Sequence, residues 1–279
     1  MCSGLQLVYL NLQNKRVIGD KMEVNNAAGR LLNILLEGKE ANQNENCKDV
    51  WAKILNVEEE NTFVLVGRIG KVFSLVDNIS TELQKIDNVD VTRYMSWTKY
   101  LENAFSNCNL TSTWNNFMKH INEPIFDYLH MTSGMLSTNR PQAVLPYSDL
   151  DGIYEGAKSL IAEIINSDLP ENIKQYFVEQ LRKICMAVEE YKITGASEVV
   201  DIVEATFGKA VLSKEFIDGK DTNEDMSKFW KFMAKTALVV STVAGGLQIA
   251  DYTAKTFPEL TAPEKVIEIS VNKQASQKA

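Results

Sequence analysis

Histidine is almost missing from this chain, with only His120 and His130 among 279 residues. Metal and acid–base chemistry needs several such groups converging on one pocket. Ten residues apart on a straight helix, two rings point roughly 80° from each other, and Pro124 lies between these two. They therefore read as independent helix residues rather than as a ligand pair. No GxxxxGK[ST], GxGxxG, GxSxG, HExxH or CxxC pattern is present either, so no catalytic, cofactor-binding or metal residue is expected. Cysteine is sparse, and Cys2, Cys47, Cys108 and Cys185 have no short paired spacing. The first residues lack the basic start and small-residue cleavage site of a secretory signal, so the expected setting is a reducing cytoplasm, with Cys185 a small buried hydrophobe. Excess positive charge is also lacking. A net charge of −8 and a pI near 5.0 leave no basic stripe to displace counterions from phosphates, which excludes an ordinary nucleic-acid binder.

What the chain has in quantity is apolar periodicity. Ala27, Leu31, Leu32, Ile34 and Leu35 share a face over residues 22–37, and Val50, Trp51, Ile54 and Leu55 resume the pattern after a polar break. Leu65, Ile69, Val72, Val76, Ile79, Leu83 and Ile86 then alternate four and three apart, an a/d seam of about three heptads. Val66, Phe73 and Leu75 flank that seam where a two-stranded coiled coil would carry charge, so the apolar arc predicts several packing partners. Gly67 and Gly70 are expected to let a neighbouring backbone approach. Residues 91–105 read as one aromatic-rich helix. Trp114, Met118, Ile121, Ile125, Tyr128, Thr132 and Met135 repeat the four-three rhythm, and at Pro124 either a new helix starts or one helix kinks. Trp51, Trp97 and Trp114 fall in or beside apolar stripes and are assigned to the core.

Residues 138–148 hold two prolines and mark the expected boundary between an N-terminal helical region, 1–140, and a C-terminal one, 141–212. Ser148 and Asp151 resemble a capping pair. Asp149, Asp151 and Glu155 lack the spaced oxygen ligands of a calcium loop and suit helix-start acidity. A helix from Asp168 and Pro170 turns Ile173, Phe177, Leu181, Ile184, Val188 and Tyr191 inward, with Lys174, Glu179, Lys183 and Glu190 off that stripe and Gly195 at its end. A shorter helix carries Val199, Val203 and Phe207. Its Glu198, Asp201 and Glu204 form a solvated acidic face, or a docking patch for a basic partner. Residues 5–11 and 266–271 have the composition of short strands, frayed termini being the alternative.

The block DLPENIKQYFVEQLRKICMAVEEYKITGASEVVDIVEATFG, residues 168–208, resembles a segment of uncharacterised helical bacterial proteins from mobile-element or phage-defence gene neighbourhoods. The resemblance implies a bacterial conflict protein, such as an antiviral defence component or a toxin-related partner. It transfers no site residue.

After a charged linker, 213–228, the chain reaches its most suggestive segment, an apolar helix over 229–258 followed by a tail, 259–279. Trp230 and Tyr252 lie near its two ends, and Ala237, Ser241 and Gly245 make a small-residue stripe for close helix packing or membrane contact. Lys228, Lys231 and Lys235 form a basic flank suited to lipid headgroups. The uncharged centre, Thr236 to Ala250, is only fifteen residues long, short of the ~18 expected of a spanning helix. Both readings stay open, and with them two locations, cytoplasmic or inner-membrane associated. The sequence thus predicts an all-α multi-helix bundle that acts as a non-enzymatic interaction protein, binding a protein partner or itself. A membrane-inserting effector using residues 229–257 is the alternative, and a helical enzyme without a recognisable motif the third.

Overall fold

The computed structural model describes residues 25–244, apart from 59, 108, 140–143, 213–218, 220 and 221. The expected terminal strands, the tail, Cys2, Cys108, Gly245 and Tyr252 lie outside the described residues. Within them the protein is all-α, with twelve helices and no strand. The first half comprises α1 (Ala27–Glu40), α2 (Cys47–Ile54), α3 (Thr62–Gln84), α4 (Val91–Tyr94), α5 (Thr98–Ser106), α6 (Asn115–Met118) and α7 (Glu123–Asn139). The second comprises α8 (Tyr147–Ile165), α9 (Glu171–Glu189), α10 (Tyr191–Thr194), α11 (Ser197–Leu212) and α12 (Glu224–Ala244).

Local chemistry sets the helix starts. Asn26 caps α1 by accepting a hydrogen bond from the Gly29 amide at 2.9 Å, while its side-chain nitrogen donates to the Ser133 carbonyl at 2.9 Å and so ties α1 to α7. Asn46 caps α2 in the same manner. At Pro124 the chain begins a new helix, α7, with the proline in its first turn, where no amide is needed. Residues 91–105, expected as one helix, are split into α4 and α5 by a turn around Trp97, which is itself buried. Ser148 does not cap α8: it lies inside the helix, and Pro146 occupies the cap position with no side-chain bond.

Burial divides the apolar core into two clusters, one drawn from residues 27–136 and the other from 145–240, with Ile193 of α10 alone crossing into the first. The first centres on rings. Trp51 meets Trp114 edge-on at 5.2 Å and Phe117 at 5.3 Å, and the Trp114 indole donates to the Gly38 carbonyl at 2.6 Å. In the second, Trp230 packs against Phe229 at 5.1 Å, Phe207 at 5.5 Å and Phe177 at 6.0 Å. Loops 42–48 and 109–115 are joined by short backbone bonds, among them Cys47 to the Ser112 carbonyl at 2.7 Å and Trp114 to the Glu45 carbonyl at 2.8 Å.

On α3 the heptad seam is buried as expected at Leu65, Ile69, Val72, Ile79 and Leu83. The wider arc is not. Leu75 joins the core, whereas Val66 faces outward and Phe73 stays partly exposed with its ring tilted against that of Phe105. Gly67 and Gly70 serve no close approach, because a Cβ at either would meet no atom within 4 Å. The glycine that packing does require is Gly38, where a Cβ would stand 2.7 Å from Trp114 Cζ2. Gly38→Ala should therefore lower stability by about 1–3 kcal/mol through overpacking, while Gly70→Ala should raise it by up to about 1 kcal/mol through helix propensity. Urea unfolding of the two variants tests this, and equal effects of the two would contradict the packing described.

Candidate functional site

The C-terminal helix singled out in the sequence starts at Glu224, inside the stretch expected as linker, with Asn223 accepting from the Met226 amide at 3.0 Å. Met226, Phe229, Trp230, Met233, Ala234, Ala237 and Val240 are buried at helical spacing. Ser241 is half-buried and donates to the Leu238 carbonyl at 2.8 Å. Lys228, Lys231 and Lys235 do not cluster at an end but run along the opposite, exposed side, where Lys228 pairs with Glu163 and Glu224 at 3.1 Å each. Trp230 and Ala237 thus face protein. No described helix is long and apolar enough to cross a membrane.

Neither histidine joins a cluster: His120 follows α6 half-buried and His130 is exposed on α7. No three His, Cys, Asp or Glu side chains among the described residues are placed to hold a metal ion. Asp149, Asp151 and Glu155 lie on α8, with Glu155 paired to Lys158.

The most organised polar geometry lies between the two halves, at residues the sequence did not single out for it. Arg68 is only 4% exposed although it sits on α3 among apolar residues. Its Nη1 donates to the carbonyls of Leu55 at 3.0 Å and Asn56 at 2.9 Å. Its Nη2 reaches Glu189 at 2.7 Å and its Nε reaches Glu190 at 3.3 Å. Asn56 adopts a left-handed φ of 52°, which asparagine tolerates better than most residues. One turn along α3, Lys71 bonds Glu190 and, at 2.6 Å, Glu198. Lys192 of α10 bonds Glu37 and donates to the Ile54 carbonyl at 2.8 Å. Arg30 donates to the Ile193 carbonyl at 2.8 Å, and Tyr191 accepts from the Leu145 amide at 3.0 Å. Gly195 follows α10 at φ 67°, and a Cβ there would lie 2.7 Å from Arg30 Nη1. Two placements differ from the sequence reading. Glu190 is largely buried at this junction, and Glu198 is engaged with Lys71 instead of belonging to a free acidic face. Arg68 carried one clue, a cation inside an apolar stripe, but its two carboxylate partners are more than 100 residues away.

This junction determines what α3 presents to solvent. Arg68 and Lys71 are the only charged residues between 61 and 76; Arg68 is buried, and Lys71, its side chain 38% exposed, is held by Glu190 and Glu198. The face away from these pairs is apolar, with Phe63 95% and Val66 50% exposed and Phe73, 38% exposed, at its edge against the Phe105 ring. Phe73 also borders a groove of ≈ 270 Å³ between α3 and α5, which Val76, Leu101 and Phe105 line as well.

Beside the junction, Tyr154 donates to Glu189 at 3.1 Å. Burial, with Glu189 adding to it, pushes Tyr154 up to about 12 from 10.0 and the Cys185 thiol up to about 11 from 9.0. Burial pulls Lys71 down, but its bonds to Glu190 and Glu198 outweigh this and hold it above 10.5. All three groups keep their protons longer folded than unfolded. The folded state then binds more protons, and stability falls as pH rises through each window. The urea midpoint should decline from pH 9 towards 11, and Cys185→Ala should flatten that decline. A flat profile in the parent protein would contradict it. Arg68→Ala, which takes a donor from the Leu55 and Asn56 carbonyls and leaves Glu190 with Lys71 alone, should cost at least about 2 kcal/mol. Lys39→Ala, breaking the exposed pair with Glu123, should cost no more than about 1 kcal/mol. Comparable losses in the two variants would refute the assignment of Arg68 as the buried link.

No protein family, curated protein or solved structure is significantly similar to the chain.

Proposed function

We propose that this protein is a non-enzymatic helical interaction protein that docks a protein partner on the outward face of α3. The exposed, charge-free surface formed by Phe63, Val66 and Phe73 carries the reading. A phenylalanine left in water at 95% exposure contributes almost nothing to the fold, yet becomes a strong anchor once a partner buries it. Gly67 and Gly70 on the same surface leave open space for a close helix contact. Following the resemblance of residues 168–208, we place the partnership in a bacterial defence or toxin-related system.

Because Phe63 touches so little, Phe63→Ser should change stability by less than about 0.5 kcal/mol. A photo-crosslinking side chain at Val66 should capture the same protein in repeated preparations from cells, and the Phe63→Ser, Phe73→Ser double variant should lose that adduct. The same probe at Thr92, which is exposed on α4, should not form it. Equal capture from both positions would remove the docking reading.

A further inference from the structure

We infer that the occupant of the α3 face is a basic amphipathic helix, apolar along its middle and positively charged at both ends. The inference rests on the docking role proposed above and adds the chemistry of the partner. The apolar strip from Phe63 to Phe73 is bracketed by carboxylates. Glu58 and Glu60 are exposed immediately before α3 begins, and Asp77 with Glu102 borders the groove beyond Phe73. No described lysine or arginine lines that groove: Lys99 of α5 lies over the Tyr100 ring instead, and the two cations of α3 are bound to Glu189, Glu190 and Glu198. From Glu60 to Asp77 the acidic ends stand about 25 Å apart at ~1.5 Å per residue, a span that one partner helix of about 18 residues covers with its own two ends. An acidic partner would meet like charge at each end, and complementary charge at a rim guides both encounter and register.

The same charges argue against a second copy of this chain. In a two-fold pair the same patch meets itself, so an antiparallel α3–α3 contact would set Glu58 and Glu60 of one copy beside Asp77 and Glu102 of the other. The net charge of −8 adds to the repulsion.

The test uses the full chain and a fluorescein-labelled synthetic helix of about 18 residues, with leucine and phenylalanine on one face and lysines at both ends, beside a twin carrying glutamates in place of the lysines. Fluorescence anisotropy should show the lysine peptide binding at least about tenfold tighter than its twin, an advantage that shrinks in about 0.5 M salt. Asp77→Asn with Glu102→Gln should reduce that advantage, and Phe63→Ser with Phe73→Ser should abolish binding of both peptides. Equal binding of the two peptides that still requires the phenylalanines overturns the charge inference and leaves the docking reading standing. Binding indifferent to the phenylalanines, or no binding of the lysine peptide, overturns the inference. So does a dimer seen by sedimentation that Phe63→Ser dissolves, since a second copy would then occupy the face.

Discussion

The guanidinium of Arg68 is the interaction on which the rest of the architecture turns. A planar group with five donors cannot be taken out of water unless its hydrogen bonds are met. Here two backbone carbonyls of the turn after α2 and two carboxylates from the end of α9 meet them. Four acceptors, two from a nearby turn and two from a distant helix end, fix three things together: the turn at Leu55 and Asn56, the rotation of α3 about its axis, and the approach of the second half. Removing the cation would take a donor from two backbone carbonyls and leave Glu190 with Lys71 alone, which is why breaking such a link costs more than a surface pair does.

The halves meet differently from the way each is packed. Inside each half the contacts are those of any helix bundle, with aromatic clusters around Trp51 and Trp114 in one and around Trp230 in the other. Between them the contacts are mostly polar. Arg30, Arg68, Lys71 and Lys192 pair with carboxylates or carbonyls across the junction, and Ile193 is the single apolar plug that enters the first core. Apolar burial gives such a contact strength without direction, whereas hydrogen-bonded charges hold it in one orientation.

That orientation bears on the proposed function. A helix with an apolar stripe and two cations can rotate to place either in water. Because the acidic residues at 189, 190 and 198 hold the two cations on the junction side, the other side of α3 presents Phe63, Val66, two glycines and the edge of Phe73. The face proposed to bind a partner is therefore a consequence of the junction on the opposite side of the same helix. The C-terminal helix makes a useful contrast: its apolar residues, including Trp230 and Ala237, are spent on the second core, and its lysines occupy the wet side.

Much of the fold was legible without coordinates. Spacing of four and three placed α3, the aliphatic periods placed α1, α8 and α9, and Pro124 could sit only in a first turn or at a kink. The tryptophans at 51, 97 and 114 were assigned correctly to the core because nothing but burial suits their size at those positions. Periodicity could not say which apolar residues stay outside when the arc exceeds the available partners, so Val66 and Phe73 were assigned inward and the two glycines were given a packing role that belongs to Gly38. Nor could it show that Lys228, Lys231 and Lys235 line an amphipathic helix, since the helix start at Glu224 lay hidden in a charged stretch. The sequence by itself determined helical class and the broad apolar faces, because both follow from interactions within a few residues along the chain. Tertiary structure decided how α3 is rotated and which of its faces remains bare, because that depends on a cation at 68 meeting carboxylates more than 100 residues away.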